Sequence, residues 1–286
     1  MSLNLMYITN NPQVALIGEQ CGVDRLWVDM EWMGKEERQP GDTVKSHHTL
    51  EDITNLRKVL TKSALMTRVN PIHEGSKYEV KESIDRGAEV VMLPMWKTTD
   101  EVKRFVDYVD GRATVNLLLE TKEAWSILNE VVPIQGIDEI YIGLNDLHLS
   151  LQKTFMFEML AEGTVDEICR ELRTNKIKYG FGGIGRIGGG MLPAEHILAE
   201  HVRLGSQMVI LSRTFCNTNL IHDLDEIRED FQKGVQDLRD AEKKFVAFSQ
   251  KQLWVIHQQV KEEVSSIVKK IRENKYESVS VYPSYH

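Results

Sequence analysis

The chain has 286 residues, of which 42% are hydrophobic and 27% charged, with a formal charge of −8 at pH 7. That composition excludes disordered, collagen-like and disulfide-scaffold classes. No apolar run, Val90–Met95 included, approaches the roughly 18 residues of a membrane helix. With 43 Asp and Glu against 35 Lys and Arg, nucleic-acid binding is not expected, because it needs clustered cations.

In chain order, short β-branched or apolar runs alternate with amphipathic stretches. Strands are predicted over Leu5–Ile8, Arg25–Asp29, Ala64–Val69, Glu89–Leu93, Ala113–Leu119, Ile137–Ile142, Lys178–Phe181 and Gln207–Leu211. Helices are predicted to begin near Pro12, Leu50, Ser76, Thr98, Thr121, Thr154 and Pro193. Thr98 and Thr121 supply N-cap chemistry, and Pro193 suits a first helical turn. Such alternation implies parallel pairing with right-handed crossovers. Arg68, Pro94, Glu120 and Asp146 each close an apolar run, and the intervals 94−68, 120−94 and 146−120 are all 26 residues. A βα unit of constant length favours a (β/α)8 TIM barrel over the rival open, doubly wound sheet.

From Leu220 onward the pattern becomes helical, with apolar residues at three- and four-residue steps through Ile271. The stretch is too long for an ordinary helix, so it is one long helix or two. This gives a barrel domain over 1–220, C-terminal helices over 221–272 that cover the barrel and form a homo-oligomer, and a flexible tail over 273–286. The N-terminus lacks the pattern of a signal peptide. Cys21, Cys169 and Cys216 are odd in number and lack zinc spacing, so a cytoplasmic location is expected.

Barrel chemistry sits at the carboxyl ends of strands, which here carry Asp29, Glu31, Arg68, Glu120 and Asp146. Four converging carboxylates call for a compensating cation, and oxygen-only ligands select Mg²⁺ or Mn²⁺. Arg68 offers a planar fork for a substrate carboxylate. A 2-oxo acid chelated by the metal would have its keto group polarised and its enolate stabilised.

Val28-Asp-Met-Glu-Trp32, Arg68-Val-Asn-Pro71, Asp85-Arg-Gly-Ala-Glu-Val-Val-Met-Leu-Pro94, Leu119-Glu-Thr-Lys-Glu-Ala124 and Ile142-Gly-Leu-Asn-Asp-Leu147 follow one another. In that order they resemble the HpcH/HpaI aldolase and citrate lyase family from about Met6 to Cys216. The resemblance implies a phosphoenolpyruvate/pyruvate-type barrel that exchanges its last helix between subunits. It also implies metal-dependent class II aldolase chemistry on 2-oxo-acid adducts, or lyase chemistry on CoA thioesters. By the same resemblance Glu120 and Asp146 are metal ligands, and Arg68 binds the carboxylate and enolate. Asp29 and Glu31 support metal-bound water, and Gly143, Asn145 and Asp146 border the substrate carboxylate. The family's acid/base His, partnered by an Asp like Asp85, is replaced by Trp32, which cannot shuttle protons but remains a substrate contact. His148 and His73 are the local replacements.

Gly180–Gly190 holds seven of the nineteen glycines, and Gly183–Gly188 satisfies GxGxxG. Its place at the seventh element argues against a Rossmann site. The loop after a seventh barrel strand is the usual phosphate site, so Arg186 and the glycine amides are candidates to cradle phosphate. His47-His48 lacks a partner pair at metal spacing. The sequence reads as a divalent-metal-dependent carbon–carbon lyase for a small 2-oxo acid. A non-catalytic barrel binding a carboxylated or phosphorylated metabolite, or a CoA-ester lyase, is the alternative.

Overall fold

A computed structural model describes residues 2–34, 48–212, 215–218 and 220–280. Eight strands run β1 (Asn4–Ile8), β2 (Arg25–Asp29), β3 (Ala64–Arg68), β4 (Val90–Leu93), β5 (Thr114–Leu119), β6 (Glu139–Ile142), β7 (Lys178–Ile184) and β8 (Met208–Leu211). They pair in chain order, all parallel, and β8 closes on β1. The TIM barrel is therefore closed, and the open-sheet rival is excluded.

The connections carry α1 (Pro12–Gln20), α2 (Leu50–Arg57), α3 (Ser76–Asp85), α4 (Thr99–Val109), α5 (Lys122–Ser126), α6 (Leu128–Val131), α7 (Leu144–Ser150), α8 (Glu158–Glu162), α9 (Thr164–Thr174) and α10 (Ala194–Leu204). Local capping explains several starts. Asn11 accepts from the Gln13 and Val14 amides, and Thr98 forms a reciprocal box with Glu101. The helix predicted near Thr154 is corrected. Thr154 lies in a turn whose amide donates to Glu158 at 2.6 Å, and α7, α8 and α9 together fill the β6–β7 connection.

The barrel interior is rich in methionine. Met6, Trp27, Met66, Val90, Met92, Leu118, Tyr141 and Met208 form one cluster, while a second, larger one lies between strands and helices. Flexible methionines fill an irregular bore. At its amino end, Arg25 pairs with Glu139 through both terminal nitrogens (2.8 and 3.1 Å) and Asn116 donates to the same carboxylate.

β7 runs three residues further than predicted, so Gly182 and Gly183 join Gly180 in the strand and do not belong to the loop. The reason is steric. A Cβ on Gly180 would stand 2.1 Å from the Met208 carbonyl oxygen, and the β7–β8 register shifts between Gly180 and Gly183. The Tyr141 hydroxyl donates to the Gly182 carbonyl and accepts from the Ile210 amide, filling the gap left by that irregularity.

Two C-terminal helices follow, α11 (Leu224–Val246) and α12 (Gln250–Ser280). The α11 helix starts at an Asp223 cap and buries Ile227, Phe231, Val235 and Leu238 against its own barrel between α10 and α1. The α12 helix lies against α10 and α8 and is fixed by His257–Glu200 and His196–Glu263 contacts. It continues through residues 273–280, the first part of the predicted tail; residues 281–286 lie outside the described residues.

Candidate active site

The carboxyl ends of β2 and β3 build the first half of the site. Asp29 and Arg68 occupy facing register positions. The Arg68 Nε and Nη2 atoms donate to the two Asp29 oxygens, both at 2.8 Å. Nη1 stands 3.3 Å from the Glu31 carboxylate, and the guanidinium lies over the Trp27 ring at 5.3 Å. Burial works against the charge of Arg68. The fields of Asp29 and Glu31, the Asp29 hydrogen bonds and the field of Glu120 outweigh it and hold Arg68 well above its ordinary pKa. Asp29, Glu31, Arg68 and Glu120 therefore share one electrostatic neighbourhood.

The second half comes from β4, β5 and β6. Met95 adopts φ 53°, in the left-handed region, and its amide donates to Glu120 Oε1 at 3.0 Å. Gly143, one residue past β6, bonds back to the Leu119 carbonyl. A Cβ there would lie 3.0 Å from Glu120 Cβ and 3.1 Å from Oε2. Glycine thus lets the β6 end close against the Glu120 carboxylate. Asp146 follows in the first turn of α7, after exposed Asn145.

Glu120 and Asp146 offer hard oxygen donors suited to a divalent cation of the Mg²⁺ type, which leaves several positions to water and substrate. No group of three or more His, Cys, Asp or Glu that could hold a metal occurs among the described residues.

The histidines differ in what they can offer. His148 approaches the Leu144 carbonyl through Nδ1 at 3.2 Å, which puts that proton on Nδ1. His73 has both ring nitrogens engaged, Nδ1 by the Gly75 amide and Nε2 by Glu79. This makes His73 an anchor of the β3–α3 loop.

Of the predicted residues, Asp85 stands apart from the mouth, while Arg186, two residues past the end of β7, is held by other groups. Asp85 ends α3 and pairs with Lys81 and with Arg112. The end of that helix leads into β4, so Asp85 faces the amino side of the barrel and within this chain does not meet Arg68. Arg186 donates from Nε to the Phe215 carbonyl at 2.6 Å, and its Nη2 lies 2.7 Å from Asp230 of α11. Those contacts tie the β7 and β8 loops to α11, and they compete with any phosphate at this guanidinium.

Sequence reasoning missed Asn70, and it weighed His48 only as a metal ligand. Asn70 Oδ1 accepts from the Trp32 and Met33 amides at 3.0 and 3.1 Å, and its Nδ2 donates to Glu79 at 2.7 Å. The only signal was its place two residues beyond Arg68. His48 accepts the Asp29 amide on Nδ1 at 2.9 Å, so a neutral ring carries its proton on Nε2. His47 lies outside the described residues.

The chain is a closed (β/α)8 TIM barrel with a buried arginine–carboxylate cluster at its carboxyl mouth, the face on which barrels of this kind carry their sites. The sequence model of the HpcH/HpaI aldolase/citrate lyase family matches residues 4–159, more than half of the chain, and the protein belongs to that family. It is 28% identical over 181 residues to the 2-keto-3-deoxy-L-rhamnonate aldolases of Escherichia coli O157:H7 and Shigella boydii serotype 4. Those matches cover 53% of this chain and 62% of each relative, so the chain spans less than two thirds of their length. Among solved structures, an HpcH/HpaI aldolase/citrate lyase family protein from Burkholderia cenocepacia J2315 superposes with a TM-score of 0.59 at 14% identity, covering 79% of this chain and 95% of that one. The citrate synthase SbnG gives 0.59 at 15% identity, with 80% and 94% covered. At that identity these two likenesses speak for the fold.

Proposed function

We propose that the protein is a divalent-metal-dependent carbon–carbon lyase that cleaves or forms a 2-oxo-acid adduct through a pyruvate-type enolate. The observation that carries this reading is the Arg68–Asp29–Glu31 cluster sharing one neighbourhood with Glu120 at the mouth of a barrel of this family. A guanidinium has five N–H donors, so Arg68, oriented by two carboxylates, still has donors for the substrate carboxylate or enolate oxygen. Glu120 and Asp146 would hold Mg²⁺ or Mn²⁺, which when bound would polarise the keto group. Gly143 and Asn145 would border the substrate beside them.

In the cleavage direction a hydroxyl proton leaves, the carbon–carbon bond breaks, an aldehyde departs, and the electron pair remains as the enolate until a proton returns. His148, on α7, is the group we assign to that proton traffic, and Asp29 and Glu31 would orient water beside it. Asp85 would take part only through groups that this chain does not bring to it by itself, and Arg186 only on leaving its Phe215 and Asp230 contacts. We also assign a homo-oligomer built through α12, whose Trp254 and Val255 are exposed, and a reducing cytoplasm for the three free cysteines. Among the described residues no helix is long and apolar enough to cross a membrane.

The test is pyruvate release from a panel of 4-hydroxy-2-oxo acids with Mg²⁺ or Mn²⁺. Metal-dependent turnover that disappears in Glu120→Ala supports the lyase. Tight binding of oxalate without turnover of any adduct would instead leave a ligand-binding barrel.

A further inference from the structure

The amino end of the barrel, opposite the Arg68 cluster, carries a cavity of about 430 Å³. Its wall includes the first residues of five strands: Asn4 of β1, Arg25 of β2, Glu139 of β6, Lys178 of β7 and Met208 of β8. Arg173 in the last turn of α9, and Lys176 in the turn between α9 and β7, stand beside them. The lining thus holds four cations and one carboxylate, in a chain whose formal charge is −8.

The carboxylate is already answered. Glu139 is 3% exposed and receives both terminal nitrogens of Arg25, whose side chain is 9% exposed. Burial works to raise the Glu139 pKa, but the hydrogen bonds and field of Arg25, the Asn116 hydrogen bond and the field of Lys178 hold it below its ordinary value. The two charges therefore cancel at the floor of the cavity. Arg25 Nε and Asn4 Oδ1, both on buried parts of the lining, have no hydrogen-bond partner among the described residues.

The other three cations are not neutralised. Arg173 donates from Nε to the Tyr179 hydroxyl at 3.3 Å and from Nη2 to the Leu204 carbonyl at 3.1 Å. Both acceptors are neutral, so they aim the guanidinium and leave its charge in place. Lys176 and Lys178 are exposed, and neither forms an ion pair among the described residues. The Arg25–Glu139 pair fits the stabilising role usual for this face of a barrel. Three unpaired cations do not, because gathering like charges opposes folding while it concentrates anions.

We propose that this cavity is a second binding site, and that its ligand is a small phosphate monoester. A phosphate dianion answers three cations better than one carboxylate does, and lysine point charges beside an arginine fork are usual phosphate partners. The volume lies in the range of small-molecule sites, which leaves room for a short polar ester chain beside Asn4 and Gln207. The site does not depend on the lyase reading.

Isothermal titration of the full chain at low ionic strength with glycerol 3-phosphate, inorganic phosphate, acetate and glycerol tests it. Glycerol 3-phosphate should give a saturable, single-site isotherm that weakens with added NaCl, since salt screens exposed charges. Lys176→Gln/Lys178→Gln removes two charges without breaking an ion pair. It should weaken glycerol 3-phosphate by about tenfold or more and leave the melting temperature nearly unchanged. Arg186→Gln, at the carboxyl face, should leave the affinity as it is. Equal affinity for inorganic phosphate would make the free ion the occupant and keep the site. Acetate binding as tightly as either phosphate overturns the ligand class. No saturable binding, unchanged binding in the double variant, or loss of binding in Arg186→Gln overturns the site.

Discussion

Asp29 and Arg68 face each other in register across β2 and β3, and the fork of the arginine closes on both oxygens of the aspartate at 2.8 Å. The register itself makes the pair, because parallel pairing brings the last residues of two neighbouring strands side by side. Glu31 joins from two residues on. Three charges are thus fixed before any substrate arrives, which is the preorganisation an enolate-stabilising site requires.

Arg68→Ala would leave two buried carboxylates without their guanidinium. Breaking a buried pair in this way costs roughly 3–5 kcal/mol, so the urea midpoint should fall markedly as pyruvate release is lost. Arg68→Lys keeps the charge but not the bidentate geometry. It should recover part of the stability and little of the activity. Equal activity in the lysine variant would show that the fork is dispensable.

Gly143→Ala tests the approach of β6 to Glu120. Its backbone φ of −80° suits alanine, so the effect would arise from contact and not from strain. The new methyl carbon would lie 3.0–3.1 Å from Glu120 Cβ, Glu120 Oε2 and Leu118 Cδ1, forcing the carboxylate aside. We expect Mn²⁺ affinity, measured by titration, to fall by about tenfold or more while the melting temperature changes by only a few degrees. Unchanged Mn²⁺ binding would remove Glu120 from the metal site.

The barrel was legible because apolar runs of one length recur at one interval, and the Arg68, Glu31 and Asp29 grouping because barrel chemistry gathers at strand ends. Other features depend on contacts that local sequence does not carry. Glycine ordinarily signals a turn, yet Gly182 and Gly183 belong to β7, beyond the predicted end at Phe181, where the register with β8 shifts. The capture of the Asp29 amide by His48 spans 19 positions, and the Asn70–Glu79 clamp joins the start of a loop to the helix after it. Asp85 shows the opposite error. Its motif runs continuously into β4, but a helix end and the following strand's carboxyl end lie on opposite faces of a barrel.

Tyr141→Phe isolates the bridge over the β7 irregularity. Without the hydroxyl, the Gly182 carbonyl and the Ile210 amide lose the group that joins them inside the barrel. A lost buried partner costs about 1–3 kcal/mol, which should appear as a lower urea midpoint with an unchanged slope. Substrate turnover should remain near wild type, because the bridge lies across β6, β7 and β8 and not at the Arg68 cluster. A wild-type midpoint would mean that the two backbone groups find each other unaided.

His201 gives the fold an acid-sensitive point. Its ring stacks on Phe181 at 3.8 Å between centroids, and its Nδ1 meets Ser206 Oγ at 2.8 Å. Burial pushes its pKa down to about 3, against roughly 6.5 in an unfolded chain. Between those values the unfolded state binds a proton that the folded state refuses, so stability rises with pH across that window. The contribution is fully present above about pH 6.5 and is lost progressively as the pH falls toward 3, at no more than about 1.4 kcal/mol per pH unit. Urea midpoints measured from pH 4 to 7 should therefore fall more steeply in wild-type protein than in His201→Gln, which keeps a partner for Ser206 but cannot titrate. Comparing slopes cancels the titrations the two proteins share. Parallel profiles would show that the His201 ring accepts its proton in the folded protein without cost.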